Sequence, residues 1–400
     1  MTTRTKAAAP RGSNSVGLGQ FNERVVLQAI RLHGPLAKAG IARLTHLTAQ
    51  TVQIIIARLE AEELVLRGDP VRGKVGQPSV PMALNPDGGF SIGIKIGRRS
   101  LDLLLVDFCG QVRERQTLRY DFPDPATLFD AIRERLALLR ASLAPVLRSR
   151  LHGIGVAAPL SLDGWQALLG VAPDQAARWA GIDIRARVEA MAGGLPVRFV
   201  KDTAAACVAE LVMGHGRRID SYLYIFLDTF IGGALVLDGQ LRAGPHGNAG
   251  AVGSMQAGAA APGQLLGAAS LFKLEARFRA AGLDSDAVYD ARALAPAWAG
   301  LTQEWLREVG PAVAHAIHSA ACLLDLETVV IDGNCAPALL HELLAELERT
   351  LGTHCDWEGV ARPALLAGTV GADARALGGA LLPLYANYAP DRELFLKVSS

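Results

Sequence analysis

Between Leu195 and Ser254 the chain carries the pattern that leaves it the fewest folds to choose from. LPVRFVKDTAAACVAEL opens with an apolar run, Val197 to Val200, that reads as a buried strand, meets Asp202 and continues as an alanine-rich helix. YLYIFLDTFIGGALVLDGQLRAGPHGNAGAVGS then gives two more strand-like runs around a glycine turn, with glycines clustered at both ends. A strand that delivers a carboxylate to the mouth of a helix, beside a glycine-rich hairpin, suits a phosphotransferase cleft. Backbone N–H groups hold phosphates there, and the carboxylate takes a hydroxyl proton.

This stretch resembles the core of the ROK family, bacterial repressors and sugar kinases that share an actin-like, two-lobed ATPase fold. In that family the strand ends in Asn-Asp, the hairpin carries Gly-Thr-Gly-Ile-Gly-Ala-Gly, and a later Ala-Gly-Glu-Ile-Gly-His contacts sugar and zinc. The matching residues are Lys201-Asp202, Asp228-Thr229-Phe230-Ile231-Gly232-Gly233-Ala234 and Ala249-Gly250-Ala251-Val252-Gly253-Ser254. The frame is kept and much of the chemistry is replaced. The family's sugar kinases also place Asp-Ile-Gly-Gly-Thr in the first turn to position magnesium and phosphate. Here Lys95-Ile96-Gly97-Arg98-Arg99 stands instead, and a lysine cannot hold Mg²⁺.

The resemblance implies a sugar-facing set reduced to Lys201 and Asp202, with His246 and Asn248 nearby in sequence and Glu210 a further candidate. The family's sugar-binding glutamate is Ala251 and its asparagine is Lys201. One lysine and one carboxylate suit an acidic or phosphorylated ligand better than a neutral hexose. The family's cysteine-rich zinc loop has as its counterpart MQAGAAAPGQLLGAASLF, which holds neither cysteine nor histidine, so no metal or other cofactor is expected. His315 and His318 sit at i and i+3, but with no third ligand they read as ordinary helix histidines. Asp332 stands where the family's adenosine-side turn has glycine. Lys95 and Asp202 are expected to face one interlobe cleft, which allows two arrangements. They pair directly or through water, or Lys95 reaches solvent while Asp202 caps the helix from Thr203 to Leu211.

A second pattern lies ahead of the first. From Asn22 to Leu66 the apolar spacing is helical and the segments are short: Val26, Leu27 and Ile30 mark one helix, Ala39 to Leu44 another, Thr45-His46-Leu47 a tight turn, and Thr48 an N-cap for a third. Val52, Ile55, Ile56 and Leu59 share one face of that third helix, leaving Gln50, Ile54, Ala57 and Ala61 on the other. Leu64-Val65-Leu66, a glycine-rich loop from Gly68 to Gln77, and Val80 to Leu84 complete a wing. Taken alone, Gln50, Thr51 and Gln53 read as a solvated helix face. PLAKAGIARLTHLTAQTVQIIIARLEAEELV resembles the winged helix-turn-helix of ROK repressors along its length, which points the third helix into a DNA major groove. The resemblance implies DNA contacts from Thr48, Gln50, Thr51, Gln53, Ile54, Arg58, Arg72 and Lys74. Two departures stand out: His46 where glycine is common, and Gly76-Gln77-Pro78 where the wing commonly ends in Gly-Arg-Pro.

Charge agrees with this division. Residues 1–80 hold eleven basic side chains against five acidic ones, although the whole chain has a net charge of only +1. A basic head on a mildly acidic body suits nucleic acid at one end. Four hundred residues allow two or three domains. No run approaches ~18 uninterrupted apolar residues, so no membrane span is expected. The first twenty residues lack an apolar h-region, which argues against a secretory signal. Five cysteines (Cys109, Cys207, Cys322, Cys335, Cys355), far apart and without a C-x-x-C pair, point to a reducing cytoplasm rather than a disulfide framework.

The expected fold is α/β: a disordered basic tail (1–18), a winged helix-turn-helix (19–86) and a two-lobed, ROK-type actin-like effector and dimerisation domain (87–400). The expected function is a DNA-binding transcriptional regulator, a repressor of carbohydrate-related genes. It has no catalytic residues and a degenerate sugar-kinase-like domain that senses a sugar or sugar derivative. A double-stranded operator and a homodimer or tetramer follow from paired half-sites. Two alternatives stay open: a sugar kinase fused to a DNA-binding head, and a regulator whose second domain only dimerises or docks a protein partner.

Overall fold

Val26, Leu27 and Ile30 bury the apolar side of the first helix, α1 (Ser15–His33). The computed structural model describes residues 15–70, 79–162, 164, 166–258 and 263–390. They divide into two units, one from the described parts of 1–90, 107–111 and 384–400, the other from 91–106 and 112–383. In the first unit, α1 begins at Ser15. Gly17 and Gly19 are poor helix formers, but they extend a helix anchored by packing further on.

After α1 come β1 (Leu36–Ala37), α2 (Lys38–Thr45), α3 (Ala49–Ala61), β2 (Val65–Arg67) and β3 (Pro81–Leu84). The three strands pair antiparallel in the order β1-β3-β2, with Leu36 opposite Met82 and Val65 opposite Leu84. The two-residue β1 is too short for any periodicity to announce it. The core joins the α1 face to Ile41, Val52, Ile55, Ile56 and Leu59 of α2 and α3, with Leu64, Val65, Met82 and Phe108 closing it.

The second unit holds two five-stranded sheets. The first uses β4 (Phe90–Ile96), β5 (Ser100–Asp107) and β6 (Val112–Arg119), then α4 (Pro125–Ser142), β7 (Leu151–Ala158), α5 (Pro173–Ala177), α6 (Ile184–Glu189) and β8 (Val197–Lys201), followed by α7 (Asp202–Met213). The second uses β9 (Tyr222–Leu227), β10 (Gly232–Leu237) and β11 (Gln240–Arg242). Beyond it come α8 (Leu265–Ala269), α9 (Leu271–Ala280), α10 (Pro296–Leu324), β12 (Thr328–Gly333), α11 (Pro337–His354), β13 (Ala364–Ala367) and α12 (Ala374–Tyr388).

The strand orders are β6-β5-β4-β7-β8 and β11-β10-β9-β12-β13, the same order twice. In each, a meander supplies three strands and parallel strands extend the other side: β7 to β8 in one, β9 to β12 to β13 in the other. These are the two lobes expected of an actin-like fold. Position within a sheet explains composition. The central strands β4 and β9 are buried along their whole length, whereas the edge strand β6 alternates polar residues outward.

Helix α4 starts at Pro125, capped by Asp124 through the N–H of Thr127, and stops at Ser142. Leu143 turns extended and Pro145 opens a separate short turn, because a proline cannot continue the helix. Trp179 is a packing residue. Its ring lies 6.1 Å from that of Phe129, and its Nε1 donates to the Pro123 carbonyl at 2.8 Å. Helix α12 lies directly on backbone: a Cβ at Gly378 would meet the Ala205 carbonyl oxygen of α7, and one at Gly155 of β7 would meet that of Gly379. Only glycine allows such an approach.

Candidate functional site

Within the first unit, Thr48 accepts the N–H of Thr51 at 3.1 Å and caps α3. His46 ends α2 in the left-handed region at φ 56°, the conformation for which glycine is the usual residue. The turn therefore takes up that geometry with a side chain where glycine is usual. The buried face of α3 leaves Gln50, Gln53 and Ile54 exposed and Thr51 half-buried; Ile54 is 57% exposed. Arg58 is also exposed, but its guanidinium lies 2.7 Å from Glu23 of α1 in an ion pair. Arg72 and Lys74 lie outside the described residues.

In the second unit, the turn after β4 builds the floor of a cleft between the lobes. Lys95 is buried, 5% exposed, and donates to Asp102 Oδ2 at 3.0 Å, to the Ser100 carbonyl at 3.2 Å and to the Ser100 hydroxyl. Both expected arrangements fail for Lys95: it pairs neither with Asp202 nor with solvent, because the half-buried carboxylate of Asp102 on the neighbouring strand β5 takes its ammonium. Burial, and next to it the like charge of Arg375, lower the Lys95 pKa against the pull of Asp102. Asp202 is the first residue of α7 and accepts the N–H of Thr203 at 2.8 Å; the N-cap itself is Lys201.

Arg375, in the first turn of α12 and 4% exposed, pairs with Asp228 beyond the end of β9 and lies 5.1 Å over the Phe226 ring. Asp228 also accepts from Asn334 Nδ2 at 3.1 Å. Burial by itself would raise the Asp228 pKa, but Arg375 and Lys95 outweigh it and hold the carboxyl below the usual range. Arg99 donates to Glu275 of α9 at 3.1 Å, and Tyr289 donates to the other oxygen of that carboxylate. Burial raises the Glu275 pKa. Arg98 stacks 4.7 Å from the centre of the Phe230 ring and donates to the Ser161 carbonyl at 3.0 Å. These groups line a cavity of ≈ 720 Å³ that also takes in Arg115, Arg119, Asp121 and Asp286. Asp102, Glu275 and Arg375 were missed by sequence reasoning. The one signal for Arg375 is a cation in an otherwise apolar segment, ARALGGALL.

A smaller cavity of ≈ 170 Å³ lies beside the first and brings together Lys201, Asp202 and Asn248 with Arg98, Ser161 and Phe230. Lys201 Nζ donates to Asn248 Oδ1 at 2.9 Å and to the Gly233 carbonyl at 3.4 Å. His246 is exposed and does not line this cavity. Glu210 is buried as a brace: it accepts from the backbone N–H groups of His215 at 2.9 Å and Thr369 at 3.0 Å. Asp332, near the end of β12, accepts from Tyr224 at 2.8 Å and from the Gly371 N–H at 3.1 Å. A side chain thus occupies the place where the resemblance leads one to expect a bare glycine turn beside an adenosine. His318 Nε2 lies 2.7 Å from the Asp356 carbonyl, and its ring sits edge-on to Trp357. Among the described residues no group of three or more His, Cys, Asp or Glu side chains is placed to hold a metal, and no helix is long and apolar enough to cross a membrane.

Comparison with known proteins agrees with this geometry. The model of a family described as the ROK family matches residues 91–384. The chain is 24% identical over 370 residues to the uncharacterised protein y4fQ of Sinorhizobium fredii, covering 91% of each. It is 23% identical over 236 residues to the xylose repressor of Bacillus subtilis, covering 59% of this chain and 60% of the repressor. Among solved structures it is similar to a ROK family transcriptional regulator described as a homologue of the E. coli MLC protein, with a TM-score of 0.64 and 22% identity over 93% of this chain and 98% of that one. A likeness at that identity speaks for the fold.

Proposed function

Because the chain belongs to the ROK family, we propose that it is a DNA-binding transcriptional regulator, a repressor of carbohydrate-related genes, whose second unit senses a sugar or sugar derivative. The observation that carries this reading is α3, capped by Thr48, packed by one face and presenting Gln50, Gln53 and Ile54 from the other. A helix so mounted after a tight turn enters a major groove, where glutamine pairs with adenine and an aliphatic side chain meets a thymine methyl. The resemblance to a xylose repressor supports the carbohydrate connection.

The reading assigns DNA binding to residues 19–86, with Arg72 and Lys74 of the wing reaching phosphates. Effector binding and dimerisation fall to residues 87–400. The protein acts in the cytoplasm as a homodimer or tetramer on paired half-sites. It is not a kinase. Phosphoryl transfer needs a metal and held phosphates, and the carboxylate expected at the metal is Lys95, committed to Asp102. Fluorescence anisotropy on genomic operator fragments tests the DNA assignment; a chain lacking residues 1–86 that still bound them would overturn it. Sugar-dependent release of ADP would overturn the non-enzymatic part.

A further inference from the structure

Lys95, Arg99, Arg115 and Arg375 at the larger cavity each pair with a carboxylate, of Asp102, Glu275, Asp373 and Asp228 in turn. The smaller cavity differs. It is lined by two half-buried cations, Arg98 and Lys201, against the single carboxylate of Asp202. Neither cation makes an ion pair among the described residues. Lys201 gives its ammonium to two neutral oxygens, Asn248 Oδ1 at 2.9 Å and the Gly233 carbonyl at 3.4 Å. Arg98 donates from Nη2 to the Ser161 carbonyl and lays its guanidinium on the Phe230 ring. Asp202 accepts the Thr203 N–H rather than either cation. A charge held among neutral acceptors gives up hydration without the return of an opposite charge. Burial accordingly lowers the Lys201 pKa, and nearby Asp202 is the charge that opposes it.

We propose that the smaller cavity takes an effector bearing a carboxylate, a sugar acid such as an aldonate or uronate rather than a neutral sugar, with the carboxylate shared by Lys201 and Arg98. Two positive charges against one negative leave a single positive charge. A monoanion neutralises it, whereas a phosphate dianion would overshoot beside Asp202. Helix α7 starts at Asp202 on the same wall, and the N-terminus of a twelve-residue helix adds positive potential there. Buried Ile231 and Leu266, with Phe230, make up much of the remaining wall and limit the water that would screen these charges. Asp202, as a carboxylate, is an acceptor only, and it serves a hydroxyl group of the polyol part. The inference deepens the proposed function: it rests on the reading of the second unit as a sensor and names the class of effector.

The test is calorimetric titration of the full chain with gluconate and glucuronate, with glucose as their neutral parent, and with glucose 6-phosphate. The expected result is salt-sensitive binding of at least one of the two acids, about tenfold or more tighter than glucose or the phosphate. Lys201→Met removes the charge and keeps the stem, and should erase the preference for the acid. Asn248→Asp is an exposed change that hands Lys201 a carboxylate from within the protein. It should weaken acid binding about tenfold and spare any binding of glucose, and it keeps the test open if Lys201→Met fails to fold. Glucose or glucose 6-phosphate bound as tightly as the acids, neither acid bound, or an acid preference that survives both variants would each overturn the proposal. Operator binding measured on the same samples separates the readings: a chain that holds DNA but no acid defeats this inference alone, and one that holds the acid but no DNA defeats the regulator alone.

Discussion

Lys95 donates to Asp102 at 3.0 Å within its own sheet, and Asp202 accepts instead from the backbone at the start of α7. A residue that looks from sequence like a cleft lysine is therefore held in the fold. Lys95→Ala should lower stability by ~1–3 kcal/mol, since it strips Asp102 of its cation while leaving the carboxylate half-buried. Urea denaturation of Lys95→Ala and of the double variant with Asp102→Asn checks this, and the double variant should recover part of the loss.

Arg375 and Asp228 are buried together, so breaking the pair should cost more. Arg375→Met is expected to lose ~3–5 kcal/mol at neutral pH, with an uncompensated buried carboxylate as the cause. The pH dependence has a definite sign. The folded Asp228 pKa is below its unfolded value, so its contribution is fully present above about pH 4 and is lost as pH falls through the lowered folded value. Thermal unfolding across the acid range should show a shallower decline in Asp228→Asn than in the wild-type chain.

Gln50→Ala should cost ~1–3 kcal/mol of operator affinity and relax specificity at one base pair. Ile54→Ala should act at a neighbouring position through a thymine methyl. A systematic set of operator variants, titrated by anisotropy, reads out both. Uniform weakening across all base changes would remove these side chains from base recognition.

Arg58 shares its charge with Glu23. Arg58→Ala should weaken all DNA sequences alike, and Glu23→Gln should strengthen binding and steepen its dependence on salt by releasing the guanidinium to the phosphates. The slope of log affinity against log salt is the deciding quantity; an unchanged slope in both variants would place Arg58 away from DNA.

His46 bears a side chain in a left-handed conformation at φ 56°. His46→Gly should leave DNA binding intact and stabilise the chain by up to about 1 kcal/mol, measured by chemical denaturation. A loss of stability would mean that the imidazole makes a contact worth more than the backbone strain.

Much of the fold was legible because its signals are local. The apolar runs of β4, β9 and β12 and the one-sided spacing of α3 come from elements whose burial is set within a dozen residues; β8 forms where its apolar run is read, but as an edge strand it buries only Val197, not the whole run to Val200. The strand-to-helix junction at Asp202 was equally plain. The charge network was not legible, because its partners come from distant parts of the chain: Arg99 with Glu275, and Arg375 with Asp228. The Lys95 pairing is illegible for the opposite reason: its partner Asp102 lies close in sequence but on the next strand, and only the sheet register brings the two together. His246 illustrates proximity in sequence without proximity in space: it is exposed, while Asn248 two residues on lines the cavity.

The glycine contacts of α12 decide which part of the second unit is free to move. Where Gly378 and Gly379 rest on Ala205 and Gly155 there is no cushion of side chains to compress or slide. The helix and the first sheet therefore behave as one stiff body, with Arg375 bolted to it like a fixed jaw.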